Sequence, residues 1–342
     1  MREFFMLVLC MGILPCCSEV TTAYRLAIRH GAEARYVYKV IDDEGLPVPD
    51  AWVRVCFRSY GRAEDNAEWS ERSGSNGVFE VAHRVNERFA VGVDKVGYYH
   101  AHDEVRYLES PVHKVFNGRW QPYGEERTLV LKRIRNPHMM LGPTRPRQRK
   151  VPAWGEWLGF DLERHAFISP HGEGVHADVL LKFTLDERSA SDWDCEMEVS
   201  FTNSPYAGAY QMKKDLRSGM VSAYEADTNA VYSSKFIYRY SRDENGNHVD
   251  RTLGADDYLV FRIRTQVDSD GRLRSARYGK LYGPWQFADA GGVKISGVFL
   301  NVKDNEINLE DQRTVDFLKN IRRPPYGCAS SAKAKKETLG DE

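Results

Sequence analysis

Cysteine is scarce, with six residues in 342, and no apolar run is longer than the 11 residues from Phe4 to Leu14. A helix that spans a bilayer needs about 20 consecutive apolar residues, so no segment reads as a transmembrane helix. Net charge is also missing. Lys and Arg total 48 against 49 Asp and Glu, a formal charge of −1, which excludes a chain whose overall field collects nucleic acid. Any charge-driven partner must use a local patch. No Gly-x-Ser-x-Gly elbow, Walker loop or dinucleotide fingerprint occurs. Those motifs are the backbone devices that expose a nucleophile or cradle phosphates. Without them no residue stands out as catalytic, and the expectation is a non-catalytic protein.

Half of the cysteines fall at the N-terminus, beside Met1, Arg2, the apolar run and Pro15-Cys16-Cys17-Ser18. A positive start, a short apolar stretch and a break with small residues form a secretory signal over residues 1–18. Its end resembles a bacterial lipoprotein box, with Leu14 three positions before Cys17; Pro15 and Cys16 stand where small residues are usual. The resemblance implies lipidation of Cys17 and a membrane-anchored envelope protein, periplasmic or at the outer membrane; ordinary cleavage near Ser18 gives a secreted protein instead. The rest of the chain keeps Cys56, Cys195 and Cys328, an odd and sparse set that reads as no disulfide framework. Cys195 alternates in phase with Met197, Val199 and Phe201 and reads as a small core hydrophobe.

At roughly 100 to 200 residues per domain the length predicts two domains. Residues 34–135 consist of short period-two runs bounded by turn residues. Ala51, Val53, Val55 and Phe57 form one inward face, with Trp52, Arg54 and Cys56 outward, and Ser73-Gly74-Ser75-Asn76-Gly77 marks a turn. Runs at this spacing with no helical period predict an antiparallel β-sandwich.

Two stretches, Gly45-Leu46-Pro47-Val48-Pro49-Asp50-Ala51-Trp52-Val53 and Ser75-Asn76-Gly77-Val78-Phe79, resemble the carboxypeptidase regulatory-like domain. The resemblance implies a transthyretin-like sandwich in an exported protein. It implies no peptidase activity, since that domain is an accessory to its enzyme. In physical terms, Gly and Pro favour a tight hairpin after the first strand and Asn76-Gly77 accommodates positive φ.

Between Arg127 and Gly155 stand eight Lys or Arg, no Asp or Glu, and Pro137, Pro143, Pro146 and Pro152. The composition predicts a basic linker over 136–153. A second all-β sandwich of about eight strands follows over 154–317, read from alternating runs such as Val179, Leu181, Phe183 and Leu185, or Leu259, Phe261 and Ile263. Gly159-Phe160-Asp161-Leu162, Ser169-Pro170-His171-Gly172-Glu173-Gly174, Phe261-Arg262-Ile263-Arg264-Thr265, Tyr278-Gly279-Lys280-Leu281-Tyr282-Gly283 and Asn308-Leu309-Glu310 resemble the C-terminal region of a family of exported bacterial proteins that carry a regulatory-like domain before it. That resemblance implies architecture and no activity. Residues 322–342 are polar and basic and read as a disordered tail.

Three groups of side chains invite chemistry. His165, His171, Glu173, His176 and Asp178 lie within 14 residues, and a metal-dependent hydrolase built on them is the alternative to a binding role. Their spacing fits no zinc motif, and the glycines between them favour a loop. His100-Ala101-His102-Asp103 is similar to part of a binuclear metallohydrolase element, with the Asp one place early and no His after it. Asp243, Asn245, Asn247 and Asp250 carry side-chain oxygens in the pattern of a calcium loop, but Asn245-Gly246 is equally a hairpin signal. No cofactor other than this calcium is expected. The aromatic residues remain: Trp52, outward on its strand, and Trp69, in an expected loop, could stack on sugar rings, but a Trp in a sandwich more often packs in the core or at a strand edge. The partner expected is an envelope glycan or a protein.

Overall fold

A computed structural model describes residues 17–61, 66–108, 114–145, 147–201, 205–251, 254, 256–283, 285–289, 291–295 and 297–320. Strand dominates the described residues, which hold only two helices, so the fold class is all-β with sandwich-like domains. The expected tail at 322–342 and the expected signal, apart from Cys17 and Ser18, lie outside the described residues. Among the described residues no helix is long and apolar enough to cross a membrane. Two compact units divide the described chain, the first ending at Lys132 and the second starting at Arg133.

The first unit opens with α1 (Cys17–His30), which carries Arg29 and His30 in its last turn, where the negative end of the helix dipole favours them. Gly31 ends it at φ 72°, its N–H bonding to the Ala27 carbonyl. A residue with no Cβ takes that left-handed turn without strain. The strands are β1 (Ala32–Asp42), β2 (Trp52–Arg58), β3 (Ala67–Arg72), β4 (Val78–Val85), β5 (Arg88–Asp94), β6 (Ala101–Arg106), β7 (Lys114–Phe116), β8 (Arg119–Gln121) and β9 (Glu125–Leu131). One sheet has the order β3-β2-β5-β6; in the other, β1 pairs with β4, β8 and β9. Period-two alternation puts Val53, Val55 and Phe57 into the core with Tyr36, Tyr38, Val81, Phe89, Val91 and Leu129, as the sequence predicts. Tyr36 stacks on Phe89 and Tyr38 on Phe79, each at 5.1 Å.

The architecture departs from the expected antiparallel set in two pairings, both of β1, which meets β8 in parallel where Glu33 lies opposite Arg119. β9 runs parallel to β1, from Tyr36 opposite Glu125 to Asp42 opposite Leu131. The hairpin expected after the first strand extends only to the Ile41–Pro47 bridge, after which the chain crosses to β2 in the opposite sheet. The Gly74–Gly77 turn is likewise a crossing, because β3 and β4 belong to different sheets. Gly77 sits at φ 74°, and a Cβ there would lie 2.5 Å from the Val40 carbonyl oxygen, so both backbone angle and close approach require glycine.

The second unit holds thirteen strands among the described residues, against about eight expected from sequence. They are β10 (Arg147–Lys150), β11 (Trp157–Asp161), β12 (Ala166–Phe167), β13 (Val179–Ser189), β14 (Asp192–Ser200), β15 (Gly208–Lys213), β16 (Lys235–Asp243), β17 (Gly246–Arg251), β18 (Asp257–Val267), β19 (Leu273–Tyr282), β20 (Gln286–Asp289), β21 (Gly292–Ile295) and β22 (Val298–Leu300). A closing helix, α2, spans Gln312–Asn320. A six-stranded sheet, β12-β11-β13-β14-β16-β17, and a four-stranded sheet, β15-β18-β19-β22, are accompanied by a small β10-β21-β20 sheet. The main core includes Leu158, Phe160, Leu181, Phe183, Met197, Phe236, Phe261 and Leu300. A second cluster, with Met140, Tyr258, Val260, Tyr278, Phe299 and Leu309, lies in the other phase of β18 and β19, so these strands are buried on both faces.

The expected linker at 136–153 is corrected here. It is part of the second unit: β10 pairs antiparallel with β21, Leu141 bridges Leu300, His138 bridges Asp311, and Met140 and Val151 are buried. Its backbone groups therefore find partners in a sheet, as buried peptide groups must. Arg145, Arg147 and Lys150 are exposed, while Arg149 turns in to donate to the His165 carbonyl, so most of the charge faces solvent and composition alone resembles a linker.

Candidate functional site

The segment from Asp161 to Asp178 leaves β11, turns back through β12 and enters β13. Asp161 and Asp178 are 1% and 0% exposed, and both serve to hold the loop. Asp161 accepts hydrogen bonds from the backbone N–H groups of Arg164, Val175 and His176 at 2.9–3.0 Å, and Asp178 accepts from Leu162 N–H at 3.0 Å. Arg264 then donates Nε and Nη2 to the two oxygens of Asp178, at 2.8 and 3.1 Å, and Nη1 to Glu163 at 2.7 Å. Such a forked, planar contact is what guanidinium geometry suits.

The two aspartates titrate in opposite directions. Burial acts to raise Asp161, but three peptide N–H donors and nearby Arg264 prevail and hold its carboxyl below the usual value. At Asp178 burial outweighs the Arg264 contact and raises the carboxyl above it. Arg264 itself is opposed by burial, yet Asp178 and Glu163 keep its pKa above the ordinary value.

The remaining members of the sequence cluster diverge from this knot. His165 is fully buried at φ 55° with its ring edge-on to Phe160 at 5.5 Å, whereas His171, Glu173 and His176 are exposed. Among the described residues no group of three or more His, Cys, Asp or Glu converges so as to hold a metal ion. In the first unit Asp103 accepts from Tyr38 and Arg127, both at 2.9 Å, while His100 bonds Asp94, so these residues also serve separate contacts.

The calcium expectation falls on a hairpin. Asp243 and Gly246 close the β16–β17 turn, and the Asp243 carboxylate accepts from Asn245 N–H at 2.7 Å. Asn247 pairs with Arg242 and Asp250 with Arg239, which spaces the four residues along the ribbon instead of around a point. The Asn245-Gly246 hairpin signal accounts for the segment.

Aromatic residues differ between the units. Trp69 lies in β3 where a loop was expected, and it follows the core-packing alternative: it is partly buried and stacks on Phe57 at 5.6 Å. Trp52 points outward, 40% exposed, with the Arg72 guanidinium 4.9 Å above its ring. The second unit carries a feature that sequence reading passed over. Trp157, Lys182, Glu198 and Ile237 are successive partners across β11, β13, β14 and β16, in the phase opposite to the core. Trp157 is 48% exposed and Ile237 43%. Lys182 Nζ stands 5.8 Å from the Trp157 ring and 3.4 Å from Glu198. The adjacent row runs Thr184, Glu196 and Arg239, with Arg239 Nε 2.7 Å from Glu196. The sheet thus presents one indole face beside paired donors and acceptors.

Lys280 is the other group that sequence reasoning missed. It is 1% exposed among Tyr278, Tyr282 and Phe299, and donates to Ser222 Oγ at 3.0 Å and to the Leu309 carbonyl. Burial pushes its ammonium down to about 7, against the attraction of Asp311 and Glu310. The available signal was a lysine at an inward position of a period-two run.

No family model matches the chain, and no curated protein matches it. Solved structures that resemble it include 3-chlorocatechol 1,2-dioxygenase from Rhodococcus opacus 1CP, with 12% identity and TM-score 0.26 over 30% of this chain and 61% of that one. The match spans about three-fifths of the dioxygenase. Others are a point mutant of the shaft pilin SpaA from Lactobacillus rhamnosus GG, with 8% identity and TM-score 0.22 over 77% and 93%, and a candidate carbohydrate-binding protein from Bacteroides uniformis ATCC 8492, with 11% identity and TM-score 0.18 over 79% and 99%. At these scores the likenesses carry no argument about this protein.

Proposed function

We propose that the protein is a non-catalytic binding protein of the bacterial envelope whose second unit takes a glycan on the outer face of its six-stranded sheet. The observation that carries this reading is the Trp157–Lys182–Glu198–Ile237 row. A half-exposed indole offers an apolar plane for the C–H face of a pyranose, and an ammonium and a carboxylate beside it supply the donor and acceptor that sugar hydroxyls need. Charged groups already paired with one another at a solvated surface can exchange partners at small cost. Export follows from the N-terminal signal pattern and anchoring from Cys17, the first residue of α1. The test is a glycan screen against the purified chain, read by tryptophan fluorescence and calorimetry. Trp157→Ala should weaken any saccharide found by about tenfold, ~1.4 kcal/mol, while leaving the melting temperature unchanged. Binding that survives Trp157→Ala undiminished refutes this site.

A further inference from the structure

On the face of β18 that turns away from the main core, Arg262 stands in phase with Tyr258 and Val260 and in register with Gly208 of β15 and Tyr278 of β19. It is 8% exposed, the most enclosed arginine among the described residues. Its Nε donates to the Tyr206 carbonyl at 2.9 Å, and the guanidinium lies 4.0 Å from the Tyr232 ring and 5.9 Å from the Tyr206 ring. The rings are fixed in turn. Tyr206 Oη donates to the Gly271 carbonyl at 2.8 Å, Tyr232 Oη to the Asp227 carbonyl at 3.0 Å, and Tyr210 meets Tyr232 edge-on at 5.1 Å. Gly208 permits this approach, because a Cβ there would lie 2.7 Å from the Ser233 carbonyl oxygen. What Arg262 lacks is an anion. Arg54, Arg127 and Arg264, all less enclosed, bond to Asp94, Asp103 and Asp178. Arg262 makes no ion pair with a described residue, and neither of its Nη groups donates to one. Asp227, which holds the tyrosines through its backbone, gives its carboxylate to the Asn229 N–H at 2.8 Å. Ring faces return only part of the hydration that an enclosed guanidinium gives up.

We propose that Arg262 anchors a second ligand site, on the outer side of the four-stranded sheet, for the carboxylate of an acidic sugar of the hexuronate class. With Nε engaged, the edge formed by Nη1 and Nη2 remains open, and two parallel N–H bonds from it match the two oxygens of a planar carboxylate. The fork is already oriented by the Tyr206 carbonyl and the two rings, so a ligand has little of it left to order. Tyr206, 49% exposed, lies beside the guanidinium. A uronate carries its carboxylate on a ring whose C–H face packs on such a phenol, whereas a peptide C-terminus would use the fork alone. The Trp157 row lies on the other sheet, across the core from Phe261 and Leu281, so this site goes beyond that reading and does not rest on it.

The test titrates oligomers of galacturonate, glucuronate and mannuronate, each beside its methyl ester, into the purified full chain in a calorimeter. At least one oligomer should bind, and its ester, the same ring without the charge, should bind about tenfold more weakly or less. Arg262→Lys keeps the charge but loses the fork, and should weaken binding by about tenfold. Tyr206→Ala, at a half-exposed position, should also weaken it, and decides the matter if Arg262→Lys does not fold. Trp157→Ala should leave uronate binding untouched, so the two sites fail separately. No oligomer bound at millimolar concentration, acid and ester bound alike, or binding undiminished in the folded Arg262 or Tyr206 variant overturns the proposal. Trialanine bound through its C-terminal carboxylate in place of every uronate overturns the sugar assignment.

Discussion

A lysine enclosed by aromatic rings should make stability depend on pH in a window where few other groups titrate. Lys280 has a folded value of about 7 against an ordinary 10.5, with burial as the largest cause. Below about pH 7 both folded and unfolded chains carry the proton, so the full cost of burying the charge is present. Between 7 and 10.5 the unfolded state binds more protons than the folded state, so stability rises with pH. From pH 7.0 to 9.5 the lost fractional protonation amounts to roughly 3 kcal/mol, taking 1.36 kcal/mol per unit. Above about pH 10 the buried tyrosines act in the opposite sense, since burial holds Tyr258 up to about 12 and Tyr238 and Tyr282 higher still. The assay is urea denaturation of the wild type and Lys280→Met at half-unit steps across that window. Methionine is unbranched, one atom shorter than lysine and unable to titrate, so the pH dependence of the difference between the two curves isolates Lys280. Expected are convergence at high pH, with methionine relatively better at pH 7, and a difference that changes by roughly 3 kcal/mol. Parallel curves would refute the account, and would mean that Ser222, the Leu309 carbonyl and the ring faces of Tyr282 and Phe299 keep the ammonium charged throughout.

Removing the cation of the Asp161–Asp178 knot leaves two buried carboxylates, so Arg264→Met should lower stability by about 3–5 kcal/mol in the same urea assay. A loss below about 1 kcal/mol would place those aspartates in water. Limited proteolysis should spare 136–153, because β10 is hydrogen-bonded to β21 and Val151 is buried; early cleavage after Arg147 or Arg149 would contradict the pairing. Cells fed an acyl tracer should label the wild type but not Cys17→Ser, and an unlabelled soluble product in both cases would remove the anchor.

The inward phase of the strands was legible in the sequence because it is a local property. Val53, Val55 and Phe57 alternate with Trp52, Arg54 and Cys56 whatever the sheet partner is, and Cys195 sits in the core at 2% exposure as its phase requires. Pairing is non-local. Nothing between Tyr36 and Asp42 announces a parallel partner near residue 125, and a turn such as Gly74–Gly77 looks the same whether it closes a hairpin or crosses between sheets. The candidate sites divide along the same line. Density in sequence gathered His165, His171, Glu173, His176 and Asp178, but the folded loop scatters the histidines and gives Asp178 to Arg264, 86 residues away. The Trp157 row arises from four different strands and has no linear signature.

The basic stretch shows how an average over residues can conceal the decisive ones. Eight Lys or Arg and four Pro from Arg127 to Gly155 dominate the composition of the stretch, and Arg145, Arg147 and Lys150 among them are exposed. Its membership of the fold is set by Met140 and Val151, which are buried, and by four residue pairs with β21. Removing even one large apolar side chain from such a packed site costs about 2–5 kcal/mol. A solvated charge adds about 0–1 kcal/mol, so the few buried residues outweigh the charged majority and fix the segment in the second unit.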